Sequence, residues 1–511
     1  MNIADHAAAT PDAPALVMAS GETLTYGQLH ERATRVATVL HAAGLRRGDA
    51  VALMLPNSPA FLEVAWGCQL SGLYYTPVNT HLTLDEVEYI VDDSESRAVI
   101  IDASMAELAA ALTGRNPRVD VRLVVGGALP GWQGYAAALD AAAGPPPATS
   151  QGTEMLYSSG TTGRPKAVRR PLPGDDGSWA QAILEGALRQ RYGMTPSSLY
   201  LCPAPLYHAA GLNYTMAVMR LGATAVVMDR FDPELALRLI ERHRITHAQF
   251  VPTMFVRMLK LSTATRSRYD VSSLECVLHA AAPCPVDVKR QMMDWLGPII
   301  CEYYGGTEGF AGTMIGPEEW LAHPGSVGRP LTPVHIVGDD GSEVPVGESG
   351  SIYFEGGPPF EYYKDPAKTA SISNDNGWRT LGDMGHVDGD GYLYLTDRAT
   401  FMVVSGGVNI YPQEAENVLV MHPKVADAAV FGVPNAEFGE EVKAVVQPVG
   451  DVQPGAELEA ELLAYCRAHL AAYKCPRSVD FDPELPRDPN GKLYKRRIRD
   501  RYWEGHTSRI L

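Results

Sequence analysis

Between residues 50 and 305 the chain repeatedly alternates a short apolar run with a stretch that reads as a capped helix, and this alternation limits the folds open to it. AVALML (50–55) is followed by PNS, whose Ser58 can cap a helix to about residue 72, and then by LYYTPV (73–78). Two apolar strands joined by a helix predict a parallel βαβ unit. A helix over 26–44 precedes this unit. The capping box Thr83-x-x-Glu86, AVIID (98–102), a helix from Ser104 and VRLVVGG (121–127) continue the pattern. It resumes with Asp232-Pro233-Glu234, a cap, a first-turn proline and an acid, opening a helix to about Arg244. HAQFVP (247–252), CVLHAAA (276–282), VDVKRQMMDWL (286–296) and IICEYYG (299–305) then read as strand, strand, helix and strand. The fold class is therefore α/β, with a large N-terminal domain of helix-covered, mostly parallel sheets, and ligands are expected at the carboxyl ends of the strands.

From about residue 325 short β-like runs alternate with Gly, Pro and Asp turns, which predicts a β-rich subdomain. After Asp397 a compact α+β tail follows, with FMVVS, VADAAVFGV and EVKAVVQPV as strands and helices after Pro412 and over 456–470. The expected division is a large domain over 1–396, a boundary at 397–400 and a small C-terminal domain over 401–511. At 511 residues the chain is too long for one ordinary domain.

Composition excludes several classes. The formal charge of −17 argues against a broad nucleic-acid footprint, so anionic ligands must meet local cations such as those in GKLYKRRIRDR (491–501). No apolar run reaches the length of a membrane span. The opening MNIADHAAATPDAP has neither a basic start nor an apolar centre, so no leader is expected and the cytoplasm is the expected location. The seven scattered cysteines form no C-x-x-C pair, and buried free thiols are expected rather than zinc ligands or disulfides.

The chemistry concentrates in a few stretches. After the short strand TEMLY (153–157), SSGTTGRPK (158–166) packs four hydroxyls, two glycines and a lysine into nine positions. Exposed N–H groups and hydroxyls make an anion cradle, and Lys166 adds a positive charge, a set suited to a polyphosphate. The spacing is not that of G-x-x-x-x-G-K-[ST], because Gly160 and Gly163 lie too close together and Lys166 follows a proline. YYGGTEG (303–309) falls at a second strand end. HAAAP (279–283), LYHAAG (206–211), TLGDMG (380–385), Asp397-Arg398, SGG (405–407) and LPRDPNGK (485–492) complete the set.

In this order and covering nearly the whole chain, these motifs resemble those of the adenylate-forming superfamily, which includes acyl-CoA synthetases, aryl-CoA ligases, peptide-synthetase adenylation domains and firefly-type luciferases. The resemblance implies that Ser158, Ser159, Gly160, Thr161, Thr162, Gly163 and Lys166 hold the β- and γ-phosphates of ATP. It implies that the backbone of Ala281, Ala282 and Pro283 lines the adenine, that Tyr304 stacks on it beside Gly305, and that Thr307 contacts the phosphate. Glu308 would hold Mg²⁺, since a carboxylate near a triphosphate needs a cation between them. Asp383 would clamp both ribose hydroxyls, supported by Arg398. Lys492 would bridge the acid and the α-phosphate, and its loss could cost on the order of 10²–10³ in rate. His208 would gate the passage between acid and thiol, and Ser405, Gly406 and Gly407 would line the pantetheine tunnel.

The implied reaction has two steps: acid and ATP give acyl-AMP and pyrophosphate, then the thiol of coenzyme A takes the acyl group and releases AMP. The small domain rotates between them. Two segments depart from the family pattern. The hinge, commonly similar to DRKKDMIISGG, is DRATFMVVSGG here, with Thr400 and Phe401 at altered positions, and Asp488 and Asn490 stand where Thr or Ser is common. A hinge needs backbone freedom rather than a given charge. Thr400→Pro should impair one half-reaction more than the other, and equal loss in both would count against a selective hinge.

For the acid, the segment matching YHAAG lacks the aspartate that amino-acid-activating domains use, and no carrier segment follows, so a free acid and free coenzyme A are expected. Acetyl-CoA synthetases carry a tryptophan at the position of Gly305. Glycine there, with Ala209, Ala210, Gly211, Ala311, Gly312 and Thr313, implies a roomy apolar site and favours a medium- or long-chain fatty acid. An aryl-CoA ligase of the coumarate or benzoate kind and a catalytically silent nucleotide-binding scaffold are the alternatives. A homodimer stays open.

Overall fold

The computed structural model describes residues 2–158, 165–172, 174, 179–398, 401–405, 408–435, 437–487 and 493–504. Among them the strands form four sheets. The first has six strands, all parallel. Its predicted βαβ unit is present: Ala50–Met54 pairs in parallel with Tyr74–Pro77 through the helix Pro59–Ser71. That helix starts on the Ser58 cap and ends on Gly72 in the left-handed conformation that glycine tolerates best. The capping boxes at Thr25 and Thr83 likewise start the helices Tyr26–Ala42 and Leu84–Asp93.

The second sheet has thirteen strands. Six of them, including Leu199–Cys202, His247–Phe250, Cys276–His279 and Ile300–Gly305, run parallel. Beyond Ile300–Gly305 the sheet turns antiparallel through Gly312–Ile315, Ser326–Pro330, Leu393–Arg398 and Asp383–Val387. The β-rich segment expected as a subdomain is thus joined edge to edge to the large sheet. The loop 306–311 turns the chain back so that Gly305 and Gly312 face each other in antiparallel register and the pairing carries onward.

Helices Tyr26–Ala42, Pro59–Ser71 and Ala209–Arg220 lie between the two large sheets, and one apolar cluster joins Val51 and Ile100 of the first sheet to Cys202, Val227 and Leu278 of the second. Pro59–Ser71 is buried almost all round, as a helix between two sheets must be. A separate five-stranded sheet, covered by Pro412–Leu419 and Ala456–His469, encloses its own apolar cluster in the C-terminal segment. All seven cysteines are free, and all but Cys284 are buried. Among the described residues no helix is long and apolar enough to cross a membrane.

Candidate active site

Two loops at carboxyl ends of adjacent parallel strands form one side of the site. Cys276–His279 runs into Ala280–Pro283, and Ile300–Gly305 runs into Gly306–Gly309. Ala281 takes φ +76°, a region that residues bearing a Cβ rarely occupy and that the surrounding structure must hold in place. Ala281 and Ala282 are exposed and Pro283 is half-buried. The Tyr304 hydroxyl donates to Asp383 Oδ2 at 2.7 Å, bringing the expected adenine-stacking ring against the expected ribose carboxylate. Asp383 opens the strand Asp383–Val387 and is nearly buried, and its backbone pairs with that of Arg398 on the neighbouring strand.

The described ends of the phosphate stretch lie on two antiparallel strands. Leu156–Ser158 pairs with Lys166–Val168, and Ser158 lies directly opposite Lys166. Residues 159–164, including Ser159, Gly160, Thr161, Thr162 and Gly163, fall outside the described residues. The Lys166 ammonium sits 5.9 Å from the centroid of the Tyr362 ring, and burial together with the charge of Lys368 moves its pKa below the usual lysine value. Tyr362 donates through its hydroxyl to Glu308 Oε1 at 2.7 Å. Arg170, four residues past Lys166, donates to the Thr307 carbonyl at 2.9 Å and reaches Glu154 Oε1 at 3.2 Å. The strand pair and the Thr307–Glu308 loop are therefore tied by Arg170 and Tyr362. Neither tie was singled out from the sequence; the arginine pair after the phosphate motif was the available signal.

His208 sits at the N-cap position of Ala209–Arg220, half-buried, with its ring 4.7 Å from that of Tyr207. Gly211 is required there, because a Cβ would lie 2.6 Å from the Pro205 carbonyl. One turn on, Tyr214 stacks on Tyr303 with centroids 5.2 Å apart. Gln249 Nε2 donates to the Tyr303 hydroxyl at 2.6 Å, and the Tyr200 hydroxyl donates to Gln249 Oε1 at 2.8 Å. Sequence reading missed this aromatic and amide group, since its members lie on four separate elements. Gly305 is exposed, and a Cβ on it would come within 3.1 Å of the Ala311 carbonyl.

In the C-terminal segment Ser405 ends the strand Val403–Ser405 and is half-buried. Lys492, Gly406, Gly407, Asp488, Asn490 and Thr400 of the expected hinge lie outside the described residues. Asp397 Oδ2 accepts from the Gln413 backbone N–H at 3.0 Å, in the first turn of Pro412–Leu419, where the helix leaves N–H groups unsatisfied.

The AMP-binding enzyme family model matches residues 3–363, and the AMP-binding enzyme C-terminal domain model matches 414–492. A feruloyl-CoA synthase of Amycolatopsis sp is 36% identical over 493 residues, covering 94% of each chain. The long-chain-fatty-acid–CoA ligase FadD13 of Mycobacterium tuberculosis is 32% identical, covering 94% of this chain and 93% of its own. Among solved structures, o-succinylbenzoate CoA synthetase from Bacillus subtilis with its acyl-adenylate superposes with a TM-score of 0.81 at 27% identity, over 98% of this chain and 97% of the other. The anthranilate CoA ligase AuaEII with anthranoyl-AMP gives 0.84 at 25% identity over the same shares.

Proposed function

Because this chain belongs to the AMP-binding enzymes, we propose that its site activates a ring-bearing carboxylic acid as the acyl-AMP and passes the acyl group to coenzyme A. The coarser activity is that of an AMP-forming acyl-CoA ligase using ATP and coenzyme A. The observation that carries the site assignment is the Tyr304–Asp383 hydrogen bond, which brings together an aromatic ring and a carboxylate 79 residues apart in sequence. Such a pair suits a purine nucleoside: the ring offers a stacking face and the carboxylate accepts from two hydroxyls.

In this reading Tyr304 and the backbone of Ala281, Ala282 and Pro283 bracket the adenine, while Asp383 and Arg398 hold the ribose. Ser158 to Gly163, Lys166 and Thr307 hold the phosphates. Glu308 presents one carboxylate oxygen to Tyr362 and keeps the other for a hard cation, a donor that fits Mg²⁺. When bound, Mg²⁺ would neutralise phosphate charge. Lys492 stabilises the charge that develops as the acid attacks the α-phosphate. His208 lies between the acid and thiol sides, and Ser405, Gly406 and Gly407 receive the pantetheine after the small domain, divided from the large one at 397–400, has turned.

The choice of a ring acid rests on Tyr214, Tyr303 and Gln249. The half-buried Tyr303 ring, backed by Tyr214 and held through its hydroxyl by Gln249, would offer a flat face to a planar acid. The name feruloyl-CoA synthase of a 36% identical relative agrees. A linear fatty acid is the second reading, favoured by the small residues Ala209 and Ala210 and by the FadD13 relative. ATP–pyrophosphate exchange across a panel of benzoate, cinnamate and C8 to C16 alkanoates decides. Faster exchange with ring acids is expected; exchange confined to alkanoates overturns the ring reading, and none with any acid overturns catalysis.

A further inference from the structure

Beneath the two strand-end loops lies a buried ionic cluster that the reaction does not use directly. Glu302 Oε2 accepts from the Lys289 ammonium at 2.7 Å, and His279 Nε2 stands 3.3 Å from the same oxygen. Lys289 and His279 are fully buried and Glu302 is 5% exposed. Lys289 also faces the Trp320 ring at 4.7 Å, and His279 meets Phe255 edge to face.

A buried ion pair is a poor way to stabilise a fold, because desolvation offsets most of the attraction and an apolar pair of similar volume does as well or better. Its placement points elsewhere. His279 is the last residue of its strand and lies in register with Glu302. Lys289 sits in the first turns of Val286–Leu296, the helix that follows the Ala280–Pro285 loop. The Lys289 end of that loop is thus tied to the carboxylate by an ion pair and the His279 end lies in register against it, with the left-handed Ala281 between them. Glu302 and Tyr304 lie two apart on one strand, so their side chains leave the same face. The carboxylate therefore sets the loop and the tyrosine relative to each other.

We propose that Lys289 and Glu302 are positioning residues that fix the spacing between the Ala280–Pro283 loop and the Tyr304 ring, and thereby set nucleotide affinity. The proposal rests on the reading of these two elements as the adenine slot. Replacing the pair by an apolar one separates positioning from folding. The double variant Lys289→Met, Glu302→Met should keep or raise the unfolding midpoint, yet weaken AMP binding in calorimetry by about 10-fold or more. KM for ATP should rise with it, while KM for coenzyme A stays at the wild-type value. A folded double variant with wild-type AMP affinity overturns the positioning role. A wild-type protein that does not bind AMP overturns the slot reading itself, and the proposal with it. Should the double variant not fold, Glu302→Gln, which keeps the shape and removes the charge, is measured in the same way, and wild-type AMP affinity in it is equally fatal.

Discussion

The Tyr362 hydroxyl donates to Glu308 Oε1 at 2.7 Å, while the same ring lies 5.9 Å from the Lys166 ammonium. Tyr362 also bridges Val168 through the backbone. One tyrosine therefore touches the strand pair that flanks the phosphate motif and the carboxylate assigned to the cation. It leaves Glu308 with a fixed orientation and one oxygen committed.

Tyr362→Phe keeps the ring against Lys166 and removes only the donor. A hydrogen bond to a charged group contributes about 1.5–3 kcal/mol when buried, and less at this half-buried site. The expected result is a drop of about 10-fold in kcat/KM for ATP, with a higher Mg²⁺ concentration needed for half-maximal rate. A Mg²⁺ titration of Tyr362→Phe that overlays the wild type would remove Tyr362 from this role.

Arg170 fits against Thr307 because residue 309 is a glycine at φ +71°; a Cβ there would lie 2.7 Å from Arg170 Nη2. Arg170→Met strips the nearly buried Glu154 of its ion-pair partner, leaving it the Thr153 hydroxyl. A stability loss of about 1–3 kcal/mol is expected from the underpaired carboxylate. The released Thr307 carbonyl should raise KM for ATP by about 10-fold, with KM for the acid little changed. Equal rises in both constants would mean that Arg170 supports the fold alone.

Much of the frame can be read along the chain, because its signals are local. Ser58, Thr83 and Asp232 announce helix starts within a few residues, and the structure places helices after each. The motif at 158–166 and the strand end at 305 are local in the same sense. What joins them is not. Tyr362 reaches Glu308 across 54 residues and Arg170 reaches Thr307 across 137. Lys289 and Glu302 belong to a helix and to the strand that follows it, and only the packing of Val286–Leu296 on Ile300–Gly305 buries them together. The continuation of the large sheet beyond Ile315 was equally hidden, since a run of short strands with turns looks the same whether it joins a sheet or stands apart.

Gln249→Leu tests the group proposed to face the acid. It removes the partner of the fully buried Tyr200 hydroxyl and of the Tyr303 hydroxyl. Each lost partner costs about 1–3 kcal/mol, so a lower unfolding midpoint is expected. The Tyr303 ring should also lose its fixed tilt, and the ratio of kcat/KM for cinnamate over dodecanoate should fall by about 10-fold. An unchanged ratio in a folded variant would exclude this group from substrate selection.

The buried cluster also predicts how stability responds to acid. Burial lowers the pKa of His279 below its ordinary 6.5, so the folded protein holds it neutral while the unfolded chain protonates it. Burial opposes charge on Glu302, but His279 and Lys289 beside it prevail and hold its pKa at about 2, against 4.5 when free. Both groups bind protons more readily in the unfolded state, so both contributions are fully present above pH 6.5. As the pH falls, the His279 contribution is lost first, below 6.5, and that of Glu302 follows between 4.5 and about 2. One such group changes stability by at most about 1.4 kcal/mol per pH unit. His279→Phe, which keeps an aromatic ring against Phe255 and cannot titrate, should therefore flatten the fall in unfolding midpoint between about pH 6.5 and about pH 5. Only part of the loss at lower pH should remain, because Lys289 still pairs with Glu302 while the His279 share of its lowered pKa is gone. Parallel curves for variant and wild type across that upper window would show that His279 carries no proton linkage.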